Sequence, residues 1–311
     1  MTKFTNILFD KTFKVVLWNP RNKELFIDMI EFFVGKKVKD ITFNDKEQPG
    51  LSVSDKSSIF DMFVTSDSGE KFVVEVQYSE QRGYQDRMLS YATHPIRYQL
   101  AEKMAAAATL REQGQNPSNP MDYTLTPIYV ISIANFALKH SDESALEGSG
   151  LVSRYSIRND SNGELMTNAL HFIFLELGRL KVNYGEEDKC KSLYEKFAYS
   201  VKYMHLMDRR PEGYDEELLK KLFYAAEYAG LTPEQQDKYD KLMTTELDII
   251  AQQQFAHDKG MEEGLAKGEA KGENKAKRAI ASELLKRGMD IKEVASVTGL
   301  TEQEITTKRE M

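Results

Sequence analysis

The chain is predicted to be an α/β protein: a mixed sheet flanked by helices, then an all-helical extension and a small C-terminal helical module. Three observations predict it. Two alternating runs, IFDMFVT (59–65) and KFVVEVQ (71–77), bracket the turn sequence Asp67-Ser68-Gly69 and read as a β-hairpin. Three later runs, TPIYVISIANFAL, LVSRYSIRN and ALHFIFLELGRL, are apolar enough for further strands. From about residue 186 onward the apolar residues recur at helical spacing instead.

Taken in order, Asp10 precedes KTFKVVL and suits a helix N-cap, and LFIDMIEFFVG forms an amphipathic helix. Strands are expected at about 38–43, 57–65 and 71–77. A long helix should run from 83 to about 112, interrupted near Pro95 because proline lacks an N–H. GQNPSNPMD is a loop before the three later strands. CKSLYEKFAYSVKYMHLM, DEELLKKLFYAAEYAG and the stretch from Pro233 to Gly260 follow as helices. Their aromatics Tyr194, Phe197, Tyr203 and Phe223 could stack on bases, but at helical spacing such residues belong more naturally to a core. Gly260, Gly264, Gly268 and Gly272 then recur every four positions, as either a close-approach helix stripe that would suit a homodimer or a flexible charged linker.

The hairpin carries the chemistry. A loop centred on Ser68 pairs Phe63 with Val73 and Asp61 with Glu75, so two carboxylates stand opposite each other, roughly 4.5–5.5 Å apart. Like charges there are destabilising unless neutralised, and a divalent cation would neutralise them. Gln77 shares the face of Glu75, while Phe72, Val74 and Val76 line the other. Asp61, Glu75 and the carbonyl of Val76 would suit a hard cation, Mg²⁺ or Mn²⁺, with Gln77 placed to orient the attacking water. The plainer alternative is a solvated hairpin face.

This pattern resembles the PD-(D/E)XK nuclease superfamily, and within it the recombination-promoting nuclease and transposase-like family of bacteria. FDKTFKVVL (9–17) is similar to the family's opening motif, Asp61 to its first acid, and Glu75 with Gln77 to its E-x-Q second motif. DRMLSYATHPIRYQL (86–100) is similar to the helix after the active strands, with Arg87, Tyr91 and Gln99 at matching positions. The resemblance implies a restriction-endonuclease-like fold over 1–182, Mg²⁺-dependent DNA cleavage leaving a 5′-phosphate, and Asp61, Glu75, Gln77, Arg87 and Tyr91 as its catalytic set. It also admits Asp10 as an added acid. The superfamily's lysine is replaced by Gln77, which cannot carry charge, so that work would pass to the metal and to Arg87. A noncatalytic DNA-binding or protein-interaction module with the same fold is the rival reading, and an RNA-directed nuclease would differ only in substrate.

Beyond 182 the division expected is a helical extension (183–257), the glycine repeat (258–275) and a helix-turn-helix-like module (276–311). In that module Val294, Ala295, Leu300 and Ile305 would form the core, Gly299 the turn, and Thr301 with Glu304 a capping box. Gln303, Thr306, Thr307 and Lys308 would then face a DNA major groove; a small three-helix packing unit is the alternative.

Composition bounds the rest. At 311 residues and 41% hydrophobic content the chain can bury a substantial core. It has neither an apolar run of the roughly 18 residues a bilayer requires nor a signal-peptide start, so a cytoplasmic protein is expected. One cysteine, Cys190, excludes an internal disulfide and a cysteine zinc site, and no phosphate loop or nucleophile elbow is present. The formal charge of −7 is wrong for a uniformly DNA-coating surface, so any nucleic-acid surface must be local. Lys275, Lys277, Arg278, Lys286 and Arg287 concentrate positive charge near the C-terminus, a run that by itself reads as a solvated helix face.

Overall fold

The computed structural model describes residues 3–17, 19–44, 47–48, 58–59, 62–114, 123–228 and 231–306. Helices α1 (Asp10–Leu17) and α2 (Lys23–Val34) lead into β1 (Ile41–Phe43), the two-residue strands β2 (Glu47–Gln48) and β3 (Ser58–Ile59), and the hairpin β4 (Met62–Ser66) and β5 (Lys71–Gln77). Then come α3 (Tyr84–Glu112), β6 (Ile128–Ala134), β7 (Val152–Ser156) and β8 (Leu170–Glu176). The helices α4 (Leu193–Tyr203), α5 (Glu217–Ala225), α6 (Pro233–Lys286), α7 (Ile291–Thr298) and α8 (Glu302–Thr306) complete the chain.

The main sheet has the order β1-β4-β5-β6-β8-β7. Its centre, β5-β6-β8, is parallel, and the strands outside that centre pair antiparallel. The hairpin register is the one expected from a loop centred on Ser68: Phe63 faces Val73 and Met62 faces Val74. Asp61 itself lies outside the described residues.

Strand alternation sorts the side chains into two layers. Phe72, Val74 and Val76, with Ile131, Ile133, Ile173 and Leu175, face a core shared with α1, α2, α4 and α5. Phe63, Val73, Val130 and Phe174 face Tyr84, Met88 and Ala92 of α3. Phe197 and Phe223 are buried and Tyr194 and Tyr203 pack partly buried against the first core, so these rings serve packing. Residues of α4 and α5 thus close one face of the sheet rather than trail behind it. Chain packing separates two units, residues 1–242 and 243–311.

Contrary to the interruption expected near Pro95, α3 runs unbroken through it. Proline costs a helix roughly 3 kcal/mol, but Tyr84, Met88, Ala92, Pro95 and Gln99 are all buried on one side of α3. Gln99 further ties the helix to the start of β6, its Oε1 accepting from Thr126 N–H at 2.9 Å and its Nε2 donating to Thr126 O at 3.2 Å. Packing on both sides of the proline outweighs the lost bond. The glycine repeat is helical too, lying inside α6.

In the second unit, Ala281, Val294 and Leu300 form a small core with Leu284, Leu285 and Ile305. Asp290 caps α7, and Gly299 adopts a left-handed φ of 68° to end it. The capping box is present at α8: Thr301 N–H donates to Glu304 Oε2 at 2.9 Å, and Glu304 N–H to Thr301 Oγ1 at 3.3 Å. Among the described residues no helix is long and apolar enough to cross a membrane, and Cys190 is buried as a free thiol.

Candidate active site

Glu75 lies on an inner strand of the sheet, on the face that α3 covers, and only 2% of it is exposed. Its lateral neighbour on β6 is Ser132, itself fully buried. The Ser132 hydroxyl shares a 2.6 Å hydrogen bond with the Tyr84 hydroxyl at the start of α3. Tyr84 is also met edge-on by Phe136 and Phe174. Gly83, with a φ of 71°, makes the turn from the strand connection into the helix. The first turn of α3 is therefore fixed beside Glu75 by a polar bond and two rings.

One turn later, Arg87 and Tyr91 stand four residues apart on the same helix side, as their spacing predicts. Arg87 Nε donates to the Tyr91 hydroxyl at 2.8 Å, and its guanidinium lies 5.1 Å from the Tyr91 ring centre. Its Nη1 donates to Gln77 Oε1 at 3.3 Å and to Gln81 Oε1 at 2.9 Å. Its Nη2 reaches to 3.9 Å from Glu75 Oε2. That last contact is a long ion pair rather than a hydrogen bond, but it puts a permanent cation beside a buried carboxylate. Gln77 Nε2 donates to Ser79 O at 3.0 Å, so its amide is held at both ends.

Glu75, Gln77, Arg87 and Tyr91 are thus brought together. Gln99, matched by the same sequence resemblance, is not among them; it anchors α3 at the other end of the sheet. The helix α1 begins at Asp10. Among the described residues no group of three or more metal-ligating side chains occurs; of the two acids expected as ligands, Glu75 is described and Asp61 is not. What Glu75 offers is a buried hard-oxygen donor, the chemistry that Mg²⁺ and Mn²⁺ favour. Gln303 and Thr306 are exposed on α8, and Thr307 and Lys308 lie outside the described residues.

Sequence reasoning missed the Tyr84–Ser132 pair, and it missed a second buried acid at the end of β8. Glu176, fully buried, accepts from Ser153 Oγ and His140 Nε2 at 2.8 Å, from Leu138 N–H at 2.8 Å and from Arg179 Nε at 2.7 Å. With four donors it is saturated, and it clamps the segment after β6 onto β8. Gly178 permits the same clamp, since a Cβ there would lie 2.5 Å from the backbone of Phe136 and Ala137. The available signal was a lone Glu closing an apolar strand with Arg three residues on.

Residues 7–256 match the family described as PD-(D/E)XK nuclease family transposase. Residues 274–309 match the Rpn/YhgA-like nuclease family, C-terminal HTH domain. No curated protein and no solved structure matches the chain. A match over most of the sequence, on a mixed sheet with a buried Glu75 and an E-x-Q strand, places the chain in the PD-(D/E)XK nuclease family of transposase-like proteins, with a C-terminal helix-turn-helix domain.

Proposed function

We propose that this protein is a metal-dependent DNA endonuclease acting in the cytoplasm, with hydrolysis of the phosphodiester bond at the α3-facing side of β5. The observation that supports this reading best is the Arg87 guanidinium, held by Tyr91 and Gln77 and directed at the buried Glu75 carboxylate. Asp61, Glu75 and the Val76 carbonyl would hold Mg²⁺ or Mn²⁺, which supplies Lewis acidity toward the scissile phosphate. Arg87 takes the role of the absent lysine, countering charge that develops on the phosphate oxygens. Tyr91 fixes the guanidinium plane. Gln77 both holds Arg87 and, with its second amide N–H, orients the attacking water. On the helix-turn-helix domain, Gln303, Thr306, Thr307 and Lys308 read the major groove.

Nicking of supercoiled plasmid in Mg²⁺ tests the assignment. Asp61→Ala and Glu75→Gln should each abolish nicking while leaving circular dichroism unchanged, and nicking retained by either variant refutes the site. The replacement of the motif lysine by Gln77 favours one other reading, a protein that binds DNA without cutting it. Tight duplex binding with no turnover in either Mg²⁺ or Mn²⁺ would establish that instead.

A further inference from the structure

Within the second unit, the C-terminal half of α6 segregates its charges. At 100° per residue, Lys267, Lys271, Lys275, Arg278 and Lys286 fall within about 100° of arc. Gly264, Gly268 and Ser282 stand among them on that face, Gly272 and Ala279 lie within about 40° of its edge, and Leu285 is the one large apolar side chain on it. The acids Glu262, Glu263, Glu269, Glu273 and Glu283 fall outside that arc. Away from the face, Lys277 and Arg287 are paired with acids one turn away, Glu273 at 2.7 Å and Glu283 at 3.4 Å, and at the N-terminal end of the face Lys267 lies 3.7 Å from Glu263. Among the described residues, Lys271, Lys275, Arg278 and Lys286 have no ion-pair partner, and all four are exposed. The face ends beside α8: Arg278, Ser282 and Lys286 line one wall of a groove whose other wall is Leu300, Glu304 and Ile305.

From this arrangement we infer that the basic face of α6 is a phosphate-binding rail that lies along the backbone of a DNA duplex next to the site gripped by the helix-turn-helix domain. The rail from Lys267 to Lys286 is about 28 Å long at 1.5 Å per residue, and a duplex presents one phosphate charge per ~1.7 Å of axis. Small residues between the lysines let the helix surface approach the polyanion closely. This also accounts for four glycines that each cost the helix about 1 kcal/mol relative to alanine, and it resolves how a chain of net charge −7 can hold nucleic acid. The inference rests on the DNA-binding half of the proposed function and is independent of cleavage.

The test is fluorescence anisotropy of the full-length protein on a labelled random-sequence duplex in EDTA, titrated from 50 to 300 mM salt so that cutting plays no part. Lys271→Gln/Lys275→Gln/Arg278→Gln removes three cations from the rail. Lys259→Gln/Lys277→Gln/Arg287→Gln removes two cations from the rest of the helix and one just past its end, with the same change in net charge. The rail variant should flatten the log–log salt slope by about 2 to 3 and weaken binding at least tenfold at 0.1 M salt, while the control triple stays close to wild type. Equal losses in both variants, no loss in either, or a wild type that binds no duplex would each overturn the rail. So would an unchanged salt slope together with a halved mass by light scattering in the rail variant, which would make the face a surface between two copies of this chain.

Discussion

Arg87 brings a cation to the motif strand from a different element, which under the proposed function is what lets it stand in for the missing lysine. The motif position on β5 carries a neutral amide, and the cation arrives from α3, held by Tyr91 Oη and Gln77 Oε1. A guanidinium suits this because its rigid fork can bond two oxygens while a third arm points at the carboxylate; an ammonium on a flexible stem cannot do all three. Arg87→Lys should therefore lower the single-turnover cleavage rate by about 10²-fold despite keeping the charge. Gln77→Lys, which restores the superfamily residue, should also lower the rate, since it removes one of the two acceptors of Arg87 Nη1 and sets two cations side by side. A faster Gln77→Lys enzyme would show that Arg87 does not fill the lysine's role.

At the scale of single elements, two helices keep residues that disfavour helices, for different reasons. In α3 the proline is buried and flanked by anchors on the sheet, so tertiary contacts carry it. In α6 the glycines have no such support, and a Cβ built at Gly260, Gly264, Gly268 or Gly272 meets nothing within 4 Å. Gly264→Ala/Gly268→Ala should accordingly stabilise this stretch by about 1–2 kcal/mol. Slower amide hydrogen exchange across residues 258–275 would register the gain, and unchanged exchange would contradict a continuous helix there.

For the molecule as a whole, acid stability should be set in two stages. Burial holds the His205 imidazole below its ordinary 6.5, and its Nδ1 has no hydrogen-bond partner. Burial does the same for His171, reinforced by Lys36 and Arg158. A histidine whose folded pKa is depressed binds its proton more readily in the unfolded chain. Its neutral form supports the fold fully above about pH 7, and that support declines as pH falls below 6.5. Paired carboxylates such as Glu31 and Glu195, held below their ordinary 4.5, lose their contribution only at lower pH. The unfolding temperature should thus already fall between pH 7 and 5.5, and His205→Asn should flatten that part of the profile. An identical slope in the variant would remove His205 from the account.

Strand alternation, the Ser68-centred register and the helical capping box were all legible in the sequence, because each depends on residues within a few positions of one another. So was the meeting of Arg87 with Tyr91, which one helical turn fixes. Sequence periodicity could not say that α3 would cross Pro95, since the forces that hold it there come from β6 and the segment before it. Nor could it place Tyr84 against Ser132, 48 residues away, or gather Ser153, His140, Leu138 and Arg179 around Glu176. Local pattern determined that Glu75 and Gln77 share a strand face. Only the packing of α3 over the parallel strands decided that Glu75 is buried beside a cation, because burial and charge pairing arise between segments that no short spacing connects.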